Sequence, residues 1–337
     1  MRLLVLGGTE FVGRAVVTAA LERGWEVTVF HRGRGRAPAG ARSLHGDRTV
    51  PDGLAALAAD GGSWDAVVDT WSAQPRAVLN AARLLRDRAG RYVYVSSRSV
   101  YAWPRGSLSG ATEDAPLVEG AAADAEHTEY AQDKRGGELA AVETFGADGS
   151  LLVRAGLILG PHENIGRLPW WLTRIGRGGP VLAPGPRDLP LQYIDARDLA
   201  EWILGAVEQR LSGPYDLVSP SGHTTMGELL DECVRATGAA AELRWTEPQV
   251  ILDAGIEPWT QLPVWTPPGT DLHDGVHRSD VSRAVAAGLV CRPVRETVAD
   301  TWRWLTDIGG TAPQRPDRPV VGLAPDVEAA VLAGRQA

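Results

Sequence analysis

The first 160 residues alternate between short apolar runs and segments of helical periodicity, and this alternation constrains the fold more than any other feature. Apolar runs occur at "RLLVLG" (2–7), "EVTVFH" (26–31), the weaker "SLHGD" (43–47), "DAVVDTW" (65–71), "RYVYVSS" (91–97) and "SLLVRAGLILG" (150–160). Helical patterns lie between them at 12–23, 53–59, 77–87 and about 128–145, the last after a loop over 103–117. Strands that read as near-continuous apolar runs are buried on both faces, as in a parallel sheet covered by its crossover helices. The crossovers are expected to be right-handed. The sequence therefore predicts a doubly wound α/β sheet. Beyond residue 160 the pattern loosens. Segments 161–190 and 219–280 are rich in Pro, Gly and Trp, with helices expected near 167–176 and 225–237, while 191–209 returns to a strand-then-helix pattern. The expected division is a sheet domain from 1–162 and 190–218 and a smaller C-terminal substrate domain from 163–189 and 219–307. A linker and closing helix would occupy 308–337.

Composition excludes several classes. The net charge of −8 over 337 residues disfavours a general nucleic-acid or anionic-membrane binder. No run approaches the roughly 18 apolar residues that span a bilayer, and the N-terminus lacks a signal peptide's small-residue cleavage site. Two cysteines, Cys233 and Cys291, make no disulfide framework and read as ordinary buried thiols of a cytoplasmic protein. A monomer or homodimer is expected.

"LGGTEFVGR" (6–14) joins the first strand to the first helix. Gly7 suits the tight turn and Gly13 a close helix–sheet approach, with the helix N-terminus offering N–H groups to a pyrophosphate. Thr9, Phe11 and Val12 complete the turn. The middle position is Glu10, whose carboxylate is expected to face solvent. A nucleotide site on a Rossmann-type sheet follows. Such a site for NAD normally carries an acid at the end of the second strand. Here that position is His31, followed by Arg32, Arg34 and Arg36. Guanidinium groups match a 2′-phosphate, so the expected cofactor is NADP(H).

Lys134 is the single lysine of the chain; the other 33 of the 34 Lys+Arg are arginine. It follows Tyr130 by four residues on an expected helix, which puts both side chains on one face. A cation beside a phenol favours the phenolate and makes the pair usable in acid–base chemistry. A compact ammonium can also bind ribose hydroxyls where a planar guanidinium would not fit. Ser96 and Ser97 end the fifth strand, at the sheet edge where open α/β folds place ligands.

The turn, "YVSSRSVYA" (94–102), "TEDAPL" (112–117), the Tyr-x-x-x-Lys pair, "VRAGLILGP" (153–161) and "QYIDARDLA" (192–200) occur in order. Together they resemble the extended short-chain dehydrogenase/reductase superfamily, in its NAD-dependent epimerase/dehydratase group, over about residues 1–305. "GGTEFVGR" is similar to the branch that includes chloroplast stem-loop RNA-binding proteins. The resemblance implies Tyr130 as catalytic acid/base, Lys134 on the nicotinamide ribose and Ser97 orienting substrate. It places Asp47 and Arg48 on the adenine side, Thr70 and Trp71 along the cofactor edge, and Leu157 near the nicotinamide amide. Glu10 for glycine, Ala155 for a bulkier residue and the large Trp71 depart from the family pattern.

Ser99, His162, Asn164 and Gln192 are expected to line a substrate cleft. "DLHDGVHRSD" (271–280) sets His273 and His277 beside Asp271, Asp274 and Asp280, but Gly275 argues against a helix, and a polar loop with no metal is expected. Trp170, Trp171, Trp259 and Trp265 read chiefly as core. The function expected is NADP(H)-dependent reduction of a small carbonyl compound. The alternatives are a nucleotide-sugar epimerase or dehydratase that retains its cofactor, and an RNA-binding protein on a dinucleotide fold.

Overall fold

The computed structural model describes residues 1–102, 109–125 and 128–334. Part of the expected loop (103–108) and the last residues of the expected closing helix (335–337) lie outside the described residues. Seven strands form one sheet: β1 (Arg2–Leu6), β2 (Glu26–His31), β3 (Arg42–His45), β4 (Ala66–Asp69), β5 (Tyr92–Ser97), β6 (Ser150–Ala155) and β7 (Gly213–Leu217). Their order is β7-β6-β5-β4-β1-β2-β3, and all pairings are parallel. The helices are α1 (Phe11–Glu22), α2 (Ala55–Ala59), α3 (Pro75–Leu85) and α4 (Tyr130–Gly149), then α5 (Arg167–Gly176), α6 (Ala196–Glu208) and α7 (Met226–Thr237).

The apolar runs behave as two-sided strands. Leu3 and Val5 of β1 join a cluster with α1 and α6, while Leu4 and Leu6 face the opposite cluster with α3 and α4. The sequence did not reveal β7, "GPYDL", because it carries Pro214 and a buried Asp216. It is an edge strand, where proline is tolerated. β6 stops at Ala155, earlier than the expected 160. Ile158–Leu159 instead pairs with Ile194–Asp195 in a separate ribbon.

A third apolar cluster is built around the fully buried Trp171 and Trp265, with α5, α7 and the helix Val294–Asp307. Within it, strand Gly179–Pro184 pairs in parallel with Ala241–Thr246. Two expectations fail in this region. Residues Asp271–His277 are a helix despite Gly275, capped by Thr270, whose hydroxyl accepts from the His273 N–H. His273 and His277 are buried rather than in a polar loop. Their ring nitrogens meet Thr266 Oγ1, the Gln192 N–H and the Val264 carbonyl. Among the described residues no group of three or more His, Cys, Asp or Glu is placed to hold a metal ion. The second failure is 308–325, expected as a linker. Ala312 and Leu323 are buried in the third cluster, and the Arg315 N–H donates to the Asn164 carbonyl at 3.0 Å. The stretch is a packed strap leading into the helix Pro325–Gly334.

Cys233 is buried and Cys291 half-buried, and both are free thiols. No helix among the described residues is long and apolar enough to cross a membrane.

Candidate functional site

Strand order reverses at β1, which has β2 on one side and β4 on the other. Open α/β sheets bind ligands at the carboxyl ends of strands at such a point. A cleft of about 1190 Å³ opens there, larger than the roughly 300–1,000 Å³ of a typical small-ligand pocket. Every site residue expected from sequence lines it except Gln192.

The β1–α1 turn requires its glycines. Gly7 has φ +99°, and a Cβ there would sit 2.5 Å from Thr70 Oγ1; a Cβ on Gly13 would sit 2.1 Å from the Gly7 carbonyl oxygen. These absences bring the start of α1 against the turn, with Thr9, Phe11 and Val12 on the cleft wall. Glu10 is exposed, as expected, but it is not free. Its carboxylate accepts from Asn164 Nδ2 at 2.9 Å, bridging the turn to the opposite wall.

At the β2 end, His31 is buried. Its Nδ1 accepts from the Gly33 N–H at 3.2 Å. Burial, and then the neighbouring His45, lower its pKa, so the ring is neutral near pH 7 and carries its proton on Nε2. That nitrogen is buried without a partner inside the protein. Arg32 and Arg34 line the same end. Asp47 is held below its ordinary carboxylate range, mainly by the Thr49 hydroxyl and N–H and to a lesser degree by Arg32 and Arg34. Arg48 departs from its expected role. Its guanidinium is tied bidentately to Asp69, at 2.7 and 2.5 Å, and donates to the Ala77 carbonyl. Burial would raise the Asp69 carboxyl, but this pair and the Tyr92 hydroxyl hold it low. Arg48 also lies over the Trp71 ring, 5.2 Å from its centroid. Its side chain therefore locks β4 to α3, and Trp71, large for a cofactor edge, is held from behind.

Tyr130 opens α4, with Lys134 one turn on. Lys134 is 3% exposed. Its Nζ donates to the carbonyls of Trp71 and Val95, each at 2.6 Å, and sits 4.8 Å from the Tyr94 ring centroid. Burial pulls its pKa down to about 7, against the opposing field of Asp69. The buried residues of α4 are Asp133, Lys134, Gly136, Gly137, Glu138, Ala140, Ala141 and Thr144, of which Ala140 and Ala141 join the apolar cluster with α3. Buried ionic contacts anchor the helix as well. Glu138 pairs with Arg154 of β6 at 2.9 Å, and Arg154 donates to the Tyr101 hydroxyl, which donates to Asp216 of β7 at 2.6 Å. Breaking one partner of such a buried network costs about 3–5 kcal/mol.

Ser97 accepts from the Ser99 N–H and donates to the Ser99 hydroxyl, both at 3.1 Å. Ser96 Oγ is buried and unpartnered in the cleft wall. His162 lies against Trp304, and burial, with Arg14 nearby, lowers its pKa to about 4. Leu157 is buried in the wall. Gln192 is a correction. It is fully buried, and its amide is committed to the main chain of Ser219 and Ser279. It cross-ties segments behind the cleft and cannot reach a ligand.

Sequence reasoning missed the strap. Residues 313–318 line the cleft. The Arg318 guanidinium carbon sits 4.2 Å from the Tyr130 ring centroid, and Arg315 Nη2 donates to Ser72 Oγ at 3.1 Å. Arg167, at the start of α5, lies over Trp259 in the same wall. No local pattern marks these arginines, because more than 180 residues separate Tyr130 from Arg318 in sequence.

The turn, the unpartnered His31 Nε2 and the size of the cleft fit a nicotinamide dinucleotide. Comparison with known proteins agrees with this fold. The chain has a TM-score of 0.67 to the Bordetella bronchiseptica enzyme WbmH in complex with NAD+, at 19% identity over 91% of this chain and 99% of that one. It has a TM-score of 0.65 to WbmG from the same organism in complex with NAD and UDP, at 19% identity over 95% and 99%. For the Thermus thermophilus UDP-glucose 4-epimerase complex with NAD the TM-score is 0.63, at 21% identity over 90% and 99%. At these identities the likeness shows the fold. No curated protein sequence matches the chain. A sequence model of the NAD dependent epimerase/dehydratase family matches residues 3–217, which span the glycine turn, Tyr130, Lys134 and all seven strands of the sheet. The chain belongs to the NAD dependent epimerase/dehydratase family.

Proposed function

We propose that this protein is a nicotinamide-dinucleotide enzyme that acts on a hydroxyl-bearing substrate of the nucleotide-sugar class by epimerase- or dehydratase-type chemistry. The observation that carries this reading is the family match over the sheet, together with Tyr130 and Lys134 in one cleft with the glycine turn. The turn residues Gly7, Thr9, Phe11, Val12 and Gly13 would hold the pyrophosphate, and Lys134 would exchange a main-chain acceptor for the nicotinamide ribose hydroxyls. When bound, the dinucleotide supplies reversible hydride acceptance. Tyr130 takes the proton of the substrate hydroxyl and later returns it, with Ser97 or Ser96 orienting the oxygen. Its ring is fixed by Arg318 on one face.

His31, Arg32 and Arg34 stand where NAD enzymes carry an acid, and this favours NADP(H) as the dinucleotide. The unpartnered His31 Nε2 proton is a donor suited to a 2′-phosphate oxygen. The same observation favours a second reading, a reductase that consumes NADPH. One experiment separates the two. Purified protein is incubated with dinucleotide and a panel of nucleotide sugars, keto-sugars, aldehydes and ketones. The expected result is product formation with no net change in NADPH absorbance and cofactor recovered from protein as purified. Stoichiometric NADPH loss with deuterium from labelled cofactor on the product would replace the proposal with the reductase reading. Absence of any dinucleotide binding would overturn both.

A further inference from the structure

Strand β4 is apolar until its last residue, Asp69, which is fully buried. A buried carboxylate is costly unless its acceptor sites are filled. Arg48 donates to it twice, at 2.7 and 2.5 Å, the Tyr92 hydroxyl donates at 2.5 Å and the Trp71 N–H at 2.9 Å. These donors fill the roughly four acceptor sites of a carboxylate. None is left for a ligand, so whatever Asp69 does in the cleft it does through a neighbour. That neighbour is Trp71. Its N–H is on Asp69, and its carbonyl accepts from Lys134 Nζ at 2.6 Å. The Tyr94 hydroxyl donates to the same carbonyl at 3.1 Å. The carbonyl therefore keeps a partner when Lys134 turns to a ligand.

The charges around the ammonium point to the same residue. Asp69 and Glu138 favour the protonated amine, while Arg318 and Arg315 of the strap oppose it. The Tyr94 ring faces Nζ at 4.8 Å, and Tyr130 lies one turn back on α4. Glu138 is already shared between Arg154 and Arg135, and of the two carboxylates Asp69 acts more strongly on Lys134. Arg48 reaches Asp69 from the α3 side, where it also donates to the Ala77 carbonyl. One carboxylate thus serves two cations, Arg48 by direct contact and Lys134 through the main chain of a single residue.

We infer that Asp69, locked by Arg48, is a positioning residue for Lys134: it fixes the Trp71 main chain on which the ammonium rests and is the buried countercharge of that ammonium. The inference rests on the proposed function only for the task it gives Lys134.

The test uses the fact that Lys134 is the single lysine of the chain. Protein labelled with [ε-13C]lysine gives one lysine resonance, whose chemical shift follows protonation of the amine. It is recorded for the ligand-free protein from pH 5 to pH 11. The wild-type midpoint is expected at about 7. In Asp69→Asn the proton should be held about tenfold more weakly, as for loss of a nearby opposite charge, and the midpoint should fall accordingly. A merely structural role predicts the reverse. Loosened packing would admit water and return the midpoint toward the ordinary 10.5. Asp69→Asn leaves the Arg48 guanidinium buried without its partner and can fail to fold. Arg48→Met/Asp69→Asn removes both charges together, which buried pairs tolerate better than loss of one member, and it should lower the midpoint in the same direction. Circular dichroism verifies the fold of each variant. An unchanged or raised midpoint in a folded variant would overturn the inference. Dinucleotide binding is measured separately on the wild-type protein. Its absence would strike the proposed function and leave the lysine titration standing.

Discussion

Replacing Lys134 by methionine should change how the stability of the ligand-free protein depends on pH. The lysine is buried, its Nζ is held by two carbonyls at 2.6 Å, and burial has brought its pKa from 10.5 down to about 7. The folded-state value lies below the unfolded one, so between these two values the unfolded chain binds more protons. Stability must then rise with pH across that window. Below about pH 7 the full cost of burying the ammonium is present, and above the unfolded value it is gone. Each unit of pKa difference corresponds to about 1.4 kcal/mol, so from pH 7 to pH 9 the wild-type protein should gain about 2 kcal/mol relative to the methionine variant. Methionine has similar length and leaves the two carbonyls unpaired, but that loss does not vary with pH. Urea unfolding of both proteins at half-unit pH steps gives the difference directly, and titrations elsewhere cancel. Parallel curves for the two proteins would refute the argument, because Lys134 would then hold its proton as tightly in the folded protein as in the unfolded chain.

Tyr130→Phe keeps the ring beneath Arg318 and removes only the transferable proton; turnover should fall about 10²–10⁴-fold with dinucleotide affinity nearly unchanged, and wild-type turnover by the variant would exclude Tyr130 as the acid/base. Neutral replacement of Arg32 and Arg34 together should weaken NADPH binding about tenfold or more and leave NADH little changed, as read by fluorescence titration; equal weakening of both would indicate a loop defect. Gly13→Ala places a Cβ 2.1 Å from a main-chain oxygen. It should abolish dinucleotide binding and lower stability by about 1–3 kcal/mol, and a variant that binds normally would show that the turn opens at little cost.

The sheet was legible because parallel strands covered on both faces must be apolar throughout. That requirement marks β1, β2, β4, β5 and β6 without reference to any other part of the chain. The glycine turn was legible for a related reason: a positive φ at Gly7 and a 2.1 Å approach at Gly13 exclude side chains and leave a mark on the sequence itself. Lys134 stood out because no other lysine competes with it. Edge strand β7 left no such mark, since an edge position tolerates proline and Asp216 is held by Tyr101 and Arg98 rather than excluded. Gln192 looks polar and available in sequence, and only burial against Ser219 and Ser279 takes it out of the site. The strap is the clearest case. A stretch rich in Pro, Arg and Gly has the composition of a linker, and whether its arginines meet solvent or Tyr130 depends on contacts with segments more than a hundred residues away. Local sequence records the backbone's own constraints and the burial pattern of each element. Which charged groups end up facing one another across a cleft is decided when the elements pack, and tertiary structure alone brings Arg167, Arg315 and Arg318 to one phenol.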